Sequence, residues 1–246
     1  MKSLNNFFID FFIKKYFHEI KKKENSNFLD LGCGTRPYRK YYDSKFEKVI
    51  AGDFEKRIED VDLILDAQDL PFEPNNFDTI LFTEVLEHIP DPTKAISEIS
   101  RCLKTNGELI LTFPFHHPMH EVPYDFTRWT EFGIKKILND HNLKIVKMMR
   151  RGNIFSLLLV LIFEIFFYPF EAFVRIPIIG LLFYPLKYIY MKVYELIFYI
   201  HFNIIKNSSN LNFNNEIGTK LNGFRTIGRW TLGYCMICKK VEVNEG

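Results

Sequence analysis

Short apolar runs alternate with polar, helix-compatible segments along the first 150 residues of the chain. Each run is short enough for a buried strand, and helices are the usual connections between parallel strands. Asp91 and Thr130 are suited to capping two of these helices, which are predicted over 92–103 and 130–139. The pattern therefore predicts an α/β fold. The expected strands cover residues 28–31, 49–53, 63–67, 77–85, 108–113 and 143–149, with a closing strand over 234–241.

A different pattern begins after residue 153. Residues 154–206 are mostly aromatic and aliphatic, with few charged side chains. Because the closing strand is expected later, this segment is predicted to be a helical insertion between the last two strands. Strands of one sheet lie on one side of any membrane, so the insertion has to return to the side from which it left. We predict a re-entrant or interfacial anchor in preference to two spanning helices, with a soluble cap or a dimer interface as the alternatives.

The remaining segments complete the expected domain organisation. Residues 1–24 carry apolar side chains at helical spacing, interrupted by charges, and predict an amphipathic helix. This helix is interpreted either as a lid over the pocket of the principal domain or as a membrane-surface helix. Residues 207–222 are rich in asparagine and predict a flexible linker. Residues 25–153 and 223–246 are expected to form the principal domain.

A tight bend is expected after the first apolar run. Gly32, Cys33 and Gly34 end this run, and two glycines around a small residue allow a tight turn and a close approach to a ligand. A strand that ends in such a turn and leads into a helix forms a crevice at the carboxyl edge of a parallel sheet. Asp53 ends the second run about twenty residues later, the spacing at which a carboxylate accepts hydrogen bonds from ribose hydroxyls. The pattern predicts a nucleotide-type pocket.

Four segments extend this pattern, namely LDLGCGT, AGD, LDAQDLPFEPNNFDTILFTEVLEHIPDP and LKTNGELILTFPF. Through them the chain resembles the class I S-adenosylmethionine-dependent methyltransferases, particularly the small type 11 members, over residues 26–150 and again near 230. The resemblance implies a Rossmann-like fold with a seven-stranded, mostly parallel sheet and an antiparallel last strand. It also implies S-adenosylmethionine as the cofactor. One departure is Arg36–Pro37, where the family usually has a third glycine or small residue.

The resemblance further implies roles for residues at the strand ends. Asp30, Gly32 and Gly34 would line the methionine and ribose part of the cofactor. Asp53 would take the ribose hydroxyls, and Asp66 with Ala67 would take the adenine edge. Thr83 and Glu84 would border the methyl donor. Taken alone, each acid is an ordinary strand-end or capping residue, and it is the ordered set that favours a cofactor. The complete implied cofactor set is Asp30, Gly32, Cys33, Gly34, Asp53, Phe54, Asp66, Ala67, Thr83 and Glu84.

The most unusual polar run is residues 115–130, which follow the fifth expected strand. Its prolines disfavour regular structure, so the run is predicted to be a loop over the cleft. A neutral histidine in this loop can accept the proton of an attacking hydroxyl group. The catalytic candidates are His117 and His120, with His88 after the fourth strand. The candidates for acceptor binding are Tyr124, Asp125 and Arg128.

Structural interpretations of the same residues stay open. Glu87 and His88 are also consistent with a solvated helix turn, and Asp125 with Arg128 is also consistent with a structural ion pair. A metal site is not expected, because the H-H-x-x-H order of residues 116–120 has no partner carboxylate at an established spacing.

Charge and cysteine content narrow the cellular setting. The formal net charge is +2 and the basic residues are scattered, which gives no electrostatic case for a nucleic-acid partner. Four cysteines in a chain of this length do not form a disulfide framework, and Cys235 and Cys238 are best explained by packing. These observations favour the reducing cytoplasm.

The predicted function is methyl transfer from S-adenosylmethionine to an oxygen, or with less support a carbon, of a small or lipid-linked acceptor. A saccharide is favoured because the 115–130 loop is polar, and an isoprenoid quinone is the alternative. The enzyme is expected on the inner face of the membrane as a peripheral or monotopic protein, and a homodimer stays open. Two other classes are a nicotinamide oxidoreductase and a catalytically inactive scaffold. The first would need a third glycine in the bend.

Overall fold

The computed structural model describes residues 3–56, 59–174, 177–207 and 230–242, with only the backbone described for 168–174 and 177–183. The described residues form two compact units. One comprises residues 10–56, 59–149 and 233–242, and the other comprises residues 3–9, 150–174, 177–207 and 230–232. The predicted linker, apart from residue 207, lies outside the described residues, as do residues 223–229 of the predicted principal domain.

The larger unit is an α/β structure built on a seven-stranded sheet. The strand order is β3-β2-β1-β4-β5-β7-β6, with β1 parallel to β2 and β4, and β7 antiparallel to β5. The predicted seven-stranded sheet with an antiparallel last strand is therefore confirmed. The strands are β1 Asn27–Leu31, β2 Lys48–Asp53, β3 Leu63–Ile64, β4 Phe77–Thr83, β5 Leu103–Pro114, β6 Leu143–Arg150 and β7 Gly233–Lys240.

The helices follow the expected alternation with strands. Both predicted caps are present, since Asp91 Oδ1 accepts the Lys94 N–H at 3.0 Å and Thr130 Oγ1 accepts the Gly133 N–H at 3.1 Å. A short 3₁₀ turn over Leu86–His88 follows β4. The helices are α1 Leu4–Glu19, α2 Arg39–Tyr42, α3 Pro92–Cys102, α4 Glu131–Asp140, α5 Ile154–Val174 and α6 Pro177–Asn207.

The two faces of β1 have different neighbours because successive side chains of a strand point to opposite sides. Leu29 and Leu31 belong to the main apolar core, which also contains buried side chains of α3 and α4. Phe28 instead packs against Tyr42 of α2, with ring centroids 4.6 Å apart. Asp30 shares the Phe28 face, so its carboxyl group lies on the side of the sheet that α2 covers.

The apolar face of the amphipathic helix α1 is buried. Within the larger unit, Phe17 contacts Phe28 and Phe46, and the Tyr16 hydroxyl donates a hydrogen bond to Glu108 at 2.5 Å. A helix whose apolar stripe is covered by protein has little of it left for a lipid surface, which disfavours the membrane-surface alternative. The stripe consists of Leu4, Phe8, Ile9, Phe12, Ile13, Tyr16 and Phe17, each at most 4% exposed.

Two local expectations differ from the structure. The third strand is limited to Leu63–Ile64, whose side chains are exposed. The fifth strand was expected over residues 108–113 but extends over Leu103–Pro114 directly after α3, so Gly107 lies inside it. A Cβ at Gly107 would be 2.8 Å from the Lys104 carbonyl oxygen, which places this glycine in a tight irregularity of the strand that leaves no room for a side chain.

The smaller unit is dominated by α5 and α6, which confirms a helical insertion between the last two strands. The helices contact each other through Phe163 and Tyr194, whose ring centroids are 4.0 Å apart, and through a hydrogen bond of 2.9 Å between Ser156 and His201. In the part of the chain that the structure describes, neither helix meets the combination of length and apolar character needed to cross a membrane.

Candidate functional site

The predicted bend and the end of β2 lie side by side. Gly32 and Cys33 donate backbone hydrogen bonds to the Gly52 carbonyl oxygen at 2.8 and 3.1 Å, and both Gly32 and Gly34 have positive φ angles, of 70° and 52°. The Gly34 N–H donates to Asp53 Oδ2 at 2.6 Å. Residues nineteen positions apart are thus joined at the carboxyl edge of two parallel strands, where the sequence pattern placed them.

Asp30 is buried beneath the bend. Its side chain is 2% exposed, and the Tyr42 hydroxyl donates a hydrogen bond to Oδ2 at 2.6 Å. Burial raises the pKa of Asp30 to about 6, against the opposing effects of the Tyr42 hydrogen bond and the nearby Arg36 charge. Burial also raises the pKa of the Cys33 thiol to about 12. Cys33 is therefore a protonated packing residue at neutral pH rather than a nucleophile.

The carboxylate of Asp53 is held by backbone donors on both oxygens. Oδ2 accepts the Gly34 N–H and Oδ1 accepts the Glu55 N–H at 3.2 Å. A carboxylate oxygen can accept two hydrogen bonds, so each retains capacity for a ligand hydroxyl. Phe54, the next residue, is 71% exposed and presents an aromatic side chain beside this carboxylate in sequence.

The third candidate acid lies after β3. Asp66 Oδ1 accepts the Gln68 N–H at 2.8 Å, and the backbone of Asp66 is bridged to Asp69. Ala67 is 5% exposed and belongs to the main core, so its methyl group is a packing contact. Its backbone is the part of Ala67 that is available to recognise a ligand.

The end of β4 contacts the bend directly. A Cβ placed on Gly32 would lie 2.3 Å from Val85 Cγ2, so these two positions are in close contact. Thr83 ends β4, and Glu84 after it has a positive φ of 51°, a conformation that non-glycine residues seldom adopt. The Glu84 side chain accepts a hydrogen bond from Thr112 of β5 at 2.8 Å. These contacts bring the third predicted component of the cofactor set to the same edge of the sheet.

The loop after β5 closes over the 3₁₀ turn after β4. The Glu87 carbonyl oxygen accepts the Phe126 N–H at 2.8 Å. His88 Nδ1 lies 2.7 Å from the Tyr124 carbonyl oxygen, and the rings of His88 and His120 are in edge contact at 4.7 Å. Candidates that are 32 positions apart in the sequence therefore form one cluster.

An ion pair fixes the centre of this loop. Arg128 donates to both oxygens of Asp125, at 2.6 and 2.8 Å, and the His120 backbone N–H donates to Oδ2 at 3.0 Å. The Arg128 hydrogen bonds hold the pKa of Asp125 well below its usual range. Burial and the neighbouring histidines lower the pKa of His120, so its ring is neutral at pH 7.

The last two candidates are on the solvent side of the cluster. The His117 ring is exposed and lies 4.5 Å from the His120 ring, with Nδ1 2.9 Å from the Pro118 carbonyl oxygen. Tyr124 is 63% exposed, so its side chain is accessible to an acceptor.

Three residues at this edge were not predicted to line a site. Tyr42 holds Asp30, Val85 packs on the bend, and Glu87 is buried with 1% exposure. The interpretation of Glu87 as a solvated turn residue is therefore wrong, because the 115–130 loop covers it. Nothing local in the sequence indicates that this loop returns to residue 87.

Comparison with known proteins identifies the class of domain. Residues 29–111 match the family model described as "Methyltransferase domain". This match confirms, for these residues, the resemblance to the class I S-adenosylmethionine-dependent methyltransferases that the sequence indicated. The chain is 33% identical over 124 residues to a demethylmenaquinone methyltransferase of Paenarthrobacter aurescens (strain TC1), covering 47% of this chain and 48% of that protein. The chain spans about half the length of the curated relatives that it matches.

Solved structures agree on the fold. A phosphoethanolamine N-methyltransferase 2 of Haemonchus contortus in complex with S-adenosylmethionine aligns with a TM-score of 0.55 at 16% identity, covering 98% of this chain and 54% of that one. The [4+2]-cyclase SpnF aligns with a TM-score of 0.53 at 15% identity, covering 95% and 80%. Because a protein named as a cyclase shares the fold, activity has to be argued from the site.

Proposed function

We propose that this protein transfers a methyl group from S-adenosylmethionine to an oxygen atom of a small acceptor held by the 115–130 loop. The observation that supports this most directly is the hydrogen bond between Asp53 and Gly34, which joins the glycine bend to a strand-end carboxylate. This is the arrangement that binds the sugar of a nucleoside at a parallel sheet edge.

The cofactor is proposed to bind with its ribose hydroxyls on Asp53. Both oxygens of this carboxylate are oriented by backbone N–H groups and can accept one further hydrogen bond each. Asp66 and the backbone of Ala67 would contact the adenine, and Thr83 and Glu84 would border the methionine part. Asp30 lies beneath the bend and Val85 packs against it, and the proposal gives these two residues and Cys33 no direct chemical role.

The chemistry is proposed to be a single displacement. The acceptor oxygen attacks the methyl carbon, the carbon–sulfur bond breaks, and its electron pair stays on sulfur. Holding the oxygen in line with that bond supplies most of the rate enhancement. A neutral imidazole accepts the proton of the hydroxyl group, and the lowered pKa of His120 and the exposed ring of His117 suit this step.

A saccharide hydroxyl is the proposed acceptor, because the loop offers charged and hydrogen-bonding side chains. Tyr124 is exposed, and Asp125 and Arg128 are fixed by their mutual ion pair. A quinone-type acceptor is the second candidate, and the similarity to a demethylmenaquinone methyltransferase favours it.

An acceptor panel tests the proposal. The purified chain is incubated with S-adenosylmethionine and either nucleotide-linked saccharides, lipid-linked saccharides or demethylmenaquinone, and the products are analysed by mass spectrometry for the gain of one methyl group. We expect methylation of a saccharide, and an Arg128→Gln variant is expected to raise the KM for it without changing the affinity for S-adenosylmethionine. Methylation of the quinone alone would refute the saccharide assignment. If none of the acceptors gained a methyl group, both assignments would be refuted.

Membrane association is proposed for the hairpin of α5 and α6. Its outer surface exposes many large apolar side chains, more than a solvated pair of helices needs, and an interfacial lipid surface would cover them. Among them Phe155, Leu158 and Ile162 are 58%, 46% and 48% exposed and recur at helical spacing. We therefore propose that the enzyme acts on the inner face of the membrane as a peripheral protein.

Flotation with phospholipid vesicles tests this part. We expect the chain to float with vesicles, and the triple substitution of Phe155, Leu158 and Ile162 by serine to reduce flotation. The matched control replaces Phe132 and Val146 by serine, since these are exposed apolar residues of the α/β unit. Equal flotation of both variants would refute the assignment, and a concentration-dependent dimer without flotation would favour the homodimer alternative.

A further inference from the structure

Glu87, His88 and His120 bring atoms that can bind a metal ion close to one another. The ligand atoms of Glu87, His88 and His120 all lie within 4.8 Å of each other. His88 Nε2 is 3.6 Å and His120 Nε2 is 3.8 Å from Glu87 Oε1. Two imidazoles and a carboxylate form a ligand set that is common in metal sites with an open position.

The two nitrogen–oxygen separations fit a shared ion after a small contraction, and the ligand atoms of the two histidines lie within 4.8 Å of each other. Ligand atoms 2.0–2.1 Å from a tetrahedral zinc ion are about 3.3 Å apart. The two nitrogen–oxygen distances exceed this value by only a few tenths of an ångström. Small rotations of the histidine rings would close that difference.

Each ring is oriented by a second interaction that leaves Nε2 available. His88 Nδ1 lies 2.7 Å from the Tyr124 carbonyl oxygen. His120 Nδ1 lies 3.2 Å from the Pro118 carbonyl oxygen and 3.4 Å from Asp125 Oδ2. A proton on Nδ1 satisfies these acceptors and directs the lone pair of Nε2 towards Glu87. Carbonyl and carboxylate partners of this kind are typical behind metal-binding histidines.

Burial is graded across the cluster. The side chains of Glu87, His88 and His120 are 1%, 15% and 30% exposed. The carboxylate is thus at the base of the cluster and His120 is at its open side. An ion bound here would be held from within the protein and would keep a coordination position facing outward.

We propose that Glu87, His88 and His120 bind a divalent transition-metal ion, with zinc as the best match to this ligand set, and that the outward position binds the acceptor oxygen. The second half of this statement rests on the proposed methyl transfer. In this arrangement His120 is a ligand rather than the base, so the hydroxyl proton of the ion-bound acceptor passes to His117, whose exposed ring lies beside His120. The oxygen then bonds to the methyl carbon, and the electron pair of the broken carbon–sulfur bond remains on sulfur.

This site was not expected from the sequence, because the H-H-x-x-H order has no partner carboxylate at an established spacing. The structure supplies the carboxylate from the turn after β4 and uses the third histidine of the run with His88. His116 is left outside the ligand set, which makes it a matched control in the same loop.

Metal titration of the full chain is the test. The protein is purified without a histidine tag, treated with a chelator, dialysed and titrated with zinc in a calorimeter, and cobalt is then substituted to record visible absorption. We expect one ion per chain and cobalt bands typical of mixed nitrogen and oxygen ligands. His88→Gln and His120→Gln are each expected to weaken zinc binding at least about tenfold. Asp125→Asn is expected to weaken it roughly 10–100-fold, because the contact between Asp125 and His120 Nδ1 is lost. His116→Gln is expected to leave the zinc affinity unchanged.

Thermal melting in the absence of metal separates ligand loss from misfolding. Glu87→Gln keeps the shape of the buried side chain and is expected to lose zinc affinity while melting as a folded protein. Absence of stoichiometric zinc binding, or equal affinities of the His88→Gln, His120→Gln and His116→Gln variants, would overturn the site. Zinc binding without methyl transfer would leave the site standing and refute the proposed function. Full methyl transfer after chelation would refute the assigned role of the ion.

Discussion

Replacing Gly32 by alanine should destabilise the protein more than replacing Gly34. Both residues have positive φ angles, of 70° and 52°, so both substitutions place a Cβ in the left-handed region. That conformation costs an L-residue about 1–2 kcal/mol. Only at Gly32 does the new Cβ also meet other atoms, 2.3 Å from Val85 Cγ2, whereas at Gly34 nothing lies within 4 Å.

The steric contribution sets the expected difference between the two variants. Overpacking a well-filled site typically costs about 1–3 kcal/mol. We therefore expect Gly34→Ala to lower the free energy of unfolding by about 1–2 kcal/mol and Gly32→Ala by about 2–5 kcal/mol. Because Val85 is the contacting side chain, adding Val85→Ala should remove the steric part and reduce the Gly32→Ala cost to that of Gly34→Ala.

Urea unfolding of the four proteins in this cycle, followed by circular dichroism, measures the coupling between positions 32 and 85. The variants are the wild type, Gly32→Ala, Val85→Ala and the double variant, with Gly34→Ala as the reference for the backbone cost. The expected coupling free energy favours the double variant by about 1–3 kcal/mol. Additive effects of the two substitutions, or equal costs for the two glycines, would refute the close contact between the bend and the end of β4.

Two further outcomes concern Asp30 and the helix caps. Burial raises the pKa of Asp30 from its ordinary value of 3.8 to about 6 in the folded protein, so the folded state binds more protons than the unfolded state between these pH values. The free energy of unfolding therefore falls as the pH rises through this range, by about 3 kcal/mol in total. The Asp30→Asn variant should not show this loss of stability. Urea unfolding of the wild type and the variant at pH 4 and pH 7 measures it, and the same change in the free energy of unfolding for both proteins would contradict the prediction. Asp91→Ala removes a cap and should lower the free energy of unfolding by about 1 kcal/mol, and Asp91→Asn should retain most of it. Equal stability of Asp91→Ala and the wild type would contradict the cap's contribution.

The elements that local sequence determines were predicted well. The bend at Gly32–Gly34 follows from glycine's access to positive φ, and the caps at Asp91 and Thr130 follow from side chains that bond the backbone three residues later. Apart from β3, whose two side chains are exposed, the apolar runs located the strands because burial in the sheet requires them. Each of these features depends on interactions between residues close in the chain or on one repeating pattern.

The features that were missed depend on contacts between distant residues. Glu87 is buried because the 115–130 loop returns to cover it, and no residue near position 87 encodes that return. Tyr42 bonds Asp30 across twelve positions, and the tyrosine in a short helix gives no sign of this partner. Gly107 lies in β5, where a Cβ would be 2.8 Å from the Lys104 carbonyl oxygen and 3.2 Å from the Phe77 carbonyl oxygen of β4. The second of these contacts depends on the neighbouring strand.

Calorimetric titration of the wild-type chain with S-adenosylmethionine tests the central claim most directly, with Asp53→Asn as the site variant. Asp140→Asn is the control, because Asp140 forms an exposed ion pair with Lys136 on α4. The account requires one cofactor molecule per chain, an affinity about 10–100-fold lower for Asp53→Asn through loss of a charged hydrogen-bond acceptor, and no change for Asp140→Asn. No binding to the wild type, or equal binding to wild type and Asp53→Asn, would contradict it.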